Sequence, residues 1–348
     1  MSHLRVVVAT PLKDEDLHII ESREPRLELI KDDSLLPPMR WAADYEGDPS
    51  FHRTPEQEQR FHELIDSADV LYGIPDVKPK ELARAIRSNP RLRWVQIMAA
   101  GGGSQVKAAG LTQEELNRVI FTTGSGVHAG PLSEFALFGL FAGAKNLPKL
   151  LSQKKSKEWS GRWPMEQVSE LTILVLGLGH LGREIARKAA ALGATVIGVD
   201  RGTDSVPFVD KVFDSSHILE AASHANAIVN TLPGTAATNG LVNADVFAAL
   251  RPGTILASIG RGTVIDEPAL IDALRSGQIG FAALDVFAVE PLAQSSPLWD
   301  MPNVIVSPHT AANSPHEERL IAELFADNAT RFLDGKPLKN VVNTVEFY

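Results

Sequence analysis

Short apolar runs rich in Val and Ile alternate along the chain with longer stretches whose apolar residues recur at helical spacing. "RVVVAT" (5–10), "VLYGI" (70–74), "WVQIM" (94–98) and "VIFTT" (119–123) predict strands. Between them, "PEQEQRFHELIDSA" (55–68) and "PKELARAIRSN" (79–89) predict helices with one apolar face. This alternation predicts an α/β domain around a mainly parallel sheet. Residues 34–54, rich in Pro, Asp and Arg, break the rhythm and predict an irregular surface insertion.

A second series starts at "LTILVLG" (171–177). It continues through "TVIGVD" (195–200), "AIVNTL" (227–232), "GTILASIG" (253–260), "GFAALDVF" (280–287) and "NVIVSP" (303–308). The spacing leaves room for crossovers, and the count is that of a doubly wound dinucleotide-binding sheet. Two further helices are predicted at the junctions, over 132–147 and 315–335. The closing tail follows the last strand of the second series, so chain order returns it to the first domain.

Bulk properties narrow the function classes. At 348 residues the chain exceeds one ordinary hydrophobic core, which predicts two domains. Thirty-four basic against 43 acidic residues give a net charge of −9, which argues against a nucleic-acid partner. The basic stretch "KKSKEWSGR" (154–162) contains Glu158 and predicts a solvated linker. With no cysteine, disulfides, thiolate nucleophiles and Cys-based metal sites are excluded, and no metal is expected. No apolar run reaches the length of a membrane span and the N-terminus lacks a signal-peptide core, so the expectation is a cytoplasmic protein without a membrane partner.

Chemistry enters at "ILVLGLGHLGREIA" (173–186), which holds Gly177-x-Gly179-x-x-Gly182 between a strand and a helix that Gly193 can end. A second strand ends on Asp200, 23 residues beyond Gly177. In this setting the first glycine permits a tight turn, the second lets backbone approach a pyrophosphate, and the third lets helix pack on strand. Amides at the helix start face the anion, and those of His180 and Leu181 belong to this turn. Asp200 accepts hydrogen bonds from the adenosine ribose and repels a 2′-phosphate, which favours NAD. Arg201 beside it can offset that repulsion, which keeps NADP as the second choice.

Three later blocks fall at the carboxyl ends of strands, where such sheets bind ligands. "SIGRGTVIDEPAL" places Arg261 between glycines, and its planar fork suits a carboxylate. "GFAALDVFAVEPL" carries Asp285, inside an apolar run where a charge needs partners, and Glu290. "NVIVSPHTA" carries His309, which taken alone is more often a core histidine than a proton carrier. Together they supply an acid or base, a carboxylate to orient it, and an arginine for an anionic substrate.

In this combination the chain resembles the D-isomer-specific 2-hydroxyacid dehydrogenases. The likeness runs from "LRWVQIMAAGGG" (92–103) through "GPLSEFAL", "LGLGHLGREIA" and "NTLPGTAATNGLVNADVFAAL" to "GRGTVIDEPALIDALRSGQIGFAALDVFAVEPL" and "VSPHTA". The resemblance implies two doubly wound lobes: a flavodoxin-like substrate domain over 1–123 and 312–348, and a Rossmann NAD-binding domain over 124–311. It implies that Arg261 binds the substrate carboxylate, that His309 is the acid/base and that Glu290 is its partner. Asp285 would sit near the nicotinamide carboxamide. Thr231, Leu232, Pro233, Thr238, Ser258, Ile259, Gly260 and Ala311 would line the cofactor. Amides of Ala100, Gly101, Gly102 and Gly103 would face the substrate carboxylate. The implied reaction is hydride transfer between NAD(H) and a small 2-oxo or 2-hydroxy acid, in a homodimer.

The sequence also departs from the family's common pattern. Gly101-Gly102-Gly103 stands where Gly-Val-Asp is frequent, which predicts a more mobile loop and a differently shaped pocket. Ser258 replaces a frequent Asn, and "TTGSGVHAGPLSE" (122–134) lacks the usual Asn-Pro-Gly; His128 within it reads as a structural or surface residue rather than one facing the cleft, and His316 as a surface residue starting a helix. Alternatives of other kinds are an NAD(H)-sensing corepressor-like protein and a relative oxidising another small anion such as phosphite or formate. Formate enzymes of the family carry Gln as the partner of the catalytic His, so Glu290 argues against formate.

Overall fold

In the computed structural model, which describes residues 3–347, the chain divides into two compact units. Unit 1 comprises Met1–His128 and Asn313–Tyr348, and unit 2 comprises Ala129–Ala312. Met1, Ser2 and Tyr348, the outermost residues of the expected first domain, lie outside the described residues.

In unit 1 the strands are β1 (Leu4–Val8), β2 (Leu27–Ile30), β3 (Val70–Tyr72), β4 (Trp94–Gln96) and β5 (Ile120–Thr122). They form an all-parallel sheet in the order β2-β1-β3-β4-β5, the flavodoxin-like arrangement. The interior strands β3 and β4 are buried throughout and β1 is buried at every position but Arg5, as expected of strands covered on both faces. The tail adds an antiparallel bridge from Val341 to Thr122 at the β5 edge. Helix Glu317–Leu333 brings Phe325 flat against Trp94 (4.8 Å between ring centres) and edge-on to Tyr72 (5.0 Å). The C-terminal helix therefore supplies part of this core.

Unit 2 holds β6 (Thr172–Leu176), β7 (Thr195–Asp200), β8 (Lys211–Asp214), β9 (Ala227–Asn230), β10 (Thr254–Ser258), β11 (Ile279–Leu284) and β12 (Val304–Val306). Their order, β12-β11-β10-β9-β6-β7-β8, is a Rossmann sheet with its switch point between β6 and β9. Helix Ala129–Ala144 lies close to this sheet because it carries glycines at the contact. A Cβ at Gly139 would stand 2.6 Å from that of Ala283, and one at Gly143 would stand 2.7 Å from Ile255.

Several local expectations change. β2 and β8 are edge strands that the apolar pattern did not predict. The junction helix starts at Ala129 rather than 132, and a separate helix, Leu147–Ser156, takes up the first residues of the expected linker. The 34–54 insertion is irregular but more than surface: Leu35, Leu36 and Asp44 are buried, and Arg40 clamps Asp44 through Nε and Nη2 at 2.6 and 2.9 Å. His128 is structural, paired at 3.0 Å with buried Glu317.

One carboxylate fastens the returning helix to the start of the chain. Glu24 is buried, accepts from Arg26 Nε and Nη2 (2.7 Å each) and accepts from the Thr330 hydroxyl at 2.7 Å. The Arg26 guanidinium, helped by Thr330 and opposed by burial, pulls its pKa from 4.5 down to about 2. A depressed carboxyl stabilises the fold above its unfolded pKa, and this contribution fades as pH falls from 4.5 towards 2. Glu24→Gln is therefore expected to lower stability at neutral pH by about 1–2 kcal/mol, discounted for the half-exposed Arg26. It should also flatten the acid unfolding curve in that window, as circular dichroism will report.

Candidate active site

The glycine turn joins β6 to helix His180–Ala191. Gly177 adopts φ +90°, a left-handed value that favours glycine, and a Cβ on Gly182 would fall 1.9 Å from the Gly177 carbonyl oxygen. Gly179 differs. Its φ is −69°, and a Cβ there would meet no protein atom within 4 Å. Protein packing thus leaves Gly179 unconstrained, and open space lies in front of a helix start, where an anion is favoured.

Asp200 closes β7 and ties it to this turn. Its carboxylate accepts from the Leu178 amide at 2.8 Å and from the Arg201 amide at 2.7 Å. Opposite, the Thr231 hydroxyl donates to the carbonyls of Leu176 (2.8 Å) and Gly177 (2.9 Å). The loop after β9 folds back on Thr238, whose hydroxyl donates to the Pro233 carbonyl at 2.6 Å and accepts from the Thr235 amide at 2.9 Å. A Cβ on Gly260 would stand 2.5 Å from the Leu232 carbonyl oxygen, so the ends of β9 and β10 approach as only glycine allows.

Asn230, which sequence reasoning passed over, braces these ends. Fully buried, it donates to Ser258 Oγ and to the Arg261 carbonyl, both at 3.2 Å, and accepts from the Leu232 amide at 3.1 Å. The signal was a lone polar residue closing the apolar run "AIVN". Ser258 is the buried partner of this brace and passes its carbonyl to the Asp285 amide at 3.0 Å.

Arg261 leaves β10 exposed and forms no ion pair among the described residues; its Nη1 donates to the Gly260 carbonyl at 2.9 Å. Gly262 beside it has a structural reason. A Cβ there would lie 2.0 Å from the Phe287 carbonyl group, so glycine lets the arginine turn press against the loop that carries Glu290. Glu290 Oε1 accepts the Phe287 amide at 3.0 Å, and Oε2 lies 2.7 Å from His309 Nδ1. Burial pushes the Glu290 carboxyl up, but the hydrogen bonds from His309 and Phe287, with the charges of His309 and Arg261, outweigh it. The carboxyl is held below the usual carboxylate range and is ionised at neutral pH.

Asp285, wholly buried at the end of β11, is the hub of the next turn. Oδ1 accepts the Ser307 hydroxyl at 2.5 Å and the amides of Thr310 and Ala311 at 2.9 and 3.0 Å. Oδ2 is equally buried and has no hydrogen-bond partner among the described residues. A buried carboxylate oxygen without a donor is costly. It fits a ligand that brings an N–H to it, as a nicotinamide carboxamide does. With the open face of Gly179 and the ribose-side carboxylate of Asp200, the residues of unit 2 suit a nicotinamide dinucleotide.

The structure thus brings Arg261, Asp285, Glu290 and His309 together in unit 2, at the carboxyl ends of β10, β11 and β12. Ala100–Gly103 lie in unit 1, after β4. There the three-glycine stretch is partly helical rather than a loose loop: Gly103 opens the turn Gly103–Ala108, and a Cβ on Gly102 would meet Ile97 at 2.5 Å. Among the described residues no cluster of His, Asp and Glu has the geometry of a metal site, and no helix is long and apolar enough to cross a membrane.

Comparison with known proteins agrees with this site. A sequence-family model described as "D-isomer specific 2-hydroxyacid dehydrogenase, NAD binding domain" matches residues 137–311, half of the chain. Glycerate dehydrogenase from Methylorubrum extorquens is 31% identical over 267 residues, covering 75% of this chain and 82% of that protein. The crystal structure of a D-isomer specific 2-hydroxyacid dehydrogenase from Xanthobacter autotrophicus, in complex with NADPH and MES, superposes with a TM-score of 0.78. It is 27% identical, and the match covers all of both chains. The NADPH-dependent glyoxylate/hydroxypyruvate reductase from Sinorhizobium meliloti, in complex with NADP and sulfate, is 26% identical with a TM-score of 0.77, over 99% of this chain and all of that one. The chain belongs to the D-isomer specific 2-hydroxyacid dehydrogenase family of NAD-binding oxidoreductases.

Proposed function

We propose that this enzyme reduces small 2-oxo acids to D-2-hydroxy acids with NADH, using His309 as proton donor, Glu290 as its partner and Arg261 as the holder of the substrate carboxylate. The observation that carries this reading is the 2.7 Å contact between His309 Nδ1 and Glu290 Oε2. With Nδ1–H donating to an ionised carboxylate, Nε2 is the ring nitrogen available to the substrate. A nicotinamide held by these residues would supply the hydride that the carbonyl carbon takes up. His309 Nε2–H donates its proton to the carbonyl oxygen as negative charge builds there. Arg261 offsets the charge of the carboxylate and of the forming alkoxide. Glu290 holds the ring through Nδ1 and so fixes its orientation.

Asp200 supports NAD(H) over NADP(H), because a carboxylate repels a 2′-phosphate; Arg201 tempers the preference. Hydroxypyruvate and glyoxylate, the substrates named for similar enzymes, are the first acids to test. An assay of purified protein with NADH and with NADPH, against glyoxylate, hydroxypyruvate, pyruvate, phenylpyruvate and branched 2-oxo acids, decides both questions. NADH is expected to give the higher kcat/KM, and equal or better turnover with NADPH would overturn the role of Asp200.

The glycine turn gives a separate prediction. Since a Cβ at position 179 would meet no atom within 4 Å, Gly179→Ala should stay near the wild-type melting temperature. It should weaken NADH binding at least about tenfold, by filling the space the pyrophosphate needs. Unchanged NADH titrations would remove the turn from the cofactor site.

A homodimer completes the proposal. The helices Ala129–Ala144 and Leu147–Ser156 expose Phe138, Phe141, Leu150 and Leu151, and Trp159 follows them fully exposed. Apolar surface of this kind supports an interface between copies. Light scattering should give twice the 37.7 kDa chain mass, and a monomer would contradict it.

A further inference from the structure

His309 has φ +53°. A non-glycine residue in the left-handed region is disfavoured, and persists only where its surroundings hold it. The hold can be traced bond by bond. The His309 amide donates to the Asp285 carbonyl at 2.9 Å. After the histidine, the amides of Thr310 and Ala311 donate to Asp285 Oδ1; before it, the Ser307 hydroxyl donates to the same oxygen at 2.5 Å. One carboxylate oxygen therefore grips the chain on both sides of residue 309. Ser307 is itself pinned by its amide to the Leu284 carbonyl at 2.8 Å and is buried.

Building on the role of His309 given above, we propose that Ser307 is a positioning residue. Through Asp285 Oδ1, its hydroxyl fixes the left-handed turn that sets the His309 imidazole against Glu290. The three donors on Oδ1 also fix which way the Asp285 carboxylate faces. Without the hydroxyl the carboxylate keeps two amide donors, so the fold survives, but its rotation is less constrained. The turn before His309 then loses its only side-chain tether to that oxygen. A role in packing alone makes a different forecast. Alanine fills nearly the volume of serine, so losing only packing would leave catalysis almost untouched.

The experiment compares Ser307→Ala, Ser307→Thr and His309→Ala with the wild type. It uses hydroxypyruvate and NADH for kinetics, NADH fluorescence titration for binding, and a crystal structure of Ser307→Ala. Ser307→Ala is expected to lower kcat at least about tenfold, since small displacements of a catalytic group cost that much or more. Its NADH affinity should stay within about threefold and its melting temperature near wild type, because the amide anchors remain. In the crystal, His309 should leave the left-handed region or Nδ1 should move beyond hydrogen-bond distance of Glu290. Ser307→Thr, which restores a hydroxyl, should recover most of kcat. Wild-type kcat in Ser307→Ala, or an unchanged turn at residue 309, overturns the proposal, as does a loss that threonine fails to repair in a folded protein. If His309→Ala is itself fully active, the role of His309 fails. If it is inactive while Ser307→Ala is normal, only the role of Ser307 fails.

Discussion

Replacing His309 by alanine is expected to lower kcat for 2-oxo acid reduction by about 10²–10⁴-fold, the usual contribution of a positioned general acid. NADH should still bind, because the glycine turn, Asp200 and Asp285 are untouched. Three observations make the expected loss large. The imidazole meets an ionised carboxylate at 2.7 Å. Its backbone is held in a disfavoured conformation by Asp285. The other histidines of unit 2 belong to other elements: His180 opens the helix after the glycine turn, and His217 and His224 flank a helix after β8. Steady-state kinetics with parallel NADH titration checks the prediction, and near-wild-type turnover would remove His309 from the chemistry.

The second large effect concerns Arg261. Arg261→Lys keeps the charge but loses the planar fork, so KM for the oxo acid should rise about 10–100-fold, the cost of a lost charge-assisted hydrogen bond. kcat should fall as well, because in the proposed mechanism the same fork offsets charge that grows during reaction. The surroundings make the substitution a clean one. Arg261 forms no ion pair among the described residues, and close packing at Gly260 and Gly262 and the hydrogen bond from Asn230 hold its backbone. Stability should therefore change little, and a melting curve that matches wild type will separate lost substrate binding from lost fold. Unchanged KM and kcat would contradict the assigned role.

What the sequence showed depended on burial. Strands flanked by others on both sides, such as β6, β9 and β10, are buried at all positions but Thr172 and stand out as mostly apolar runs. β2 ("LELI") and β8 ("KVFD") border the sheets, keep partly exposed faces and mix charge into four residues, so their periodicity was too short to read. Helix Leu147–Ser156 buries none of its residues, which is why its lysines looked like a linker. At the site, Arg261, Glu290 and His309 were legible because charged or ionisable residues at strand ends of a dinucleotide fold are conspicuous. Asn230 and Ser307 were not: each is a small polar residue whose meaning lies in partners 28 and 22 positions away. The left-handed backbone of His309 left no trace in the letters at all.

The most direct test of the central claim is a single-turnover experiment with enzyme in excess over NADH, hydroxypyruvate added, and NADH absorbance and product chirality followed together. The account predicts stoichiometric loss of NADH and formation of D-glycerate by the wild type, with that loss slowed at least about a hundredfold in His309→Ala. NADH that binds but stays reduced with hydroxypyruvate and every other 2-oxo acid offered, or an equal rate in His309→Ala, would contradict it.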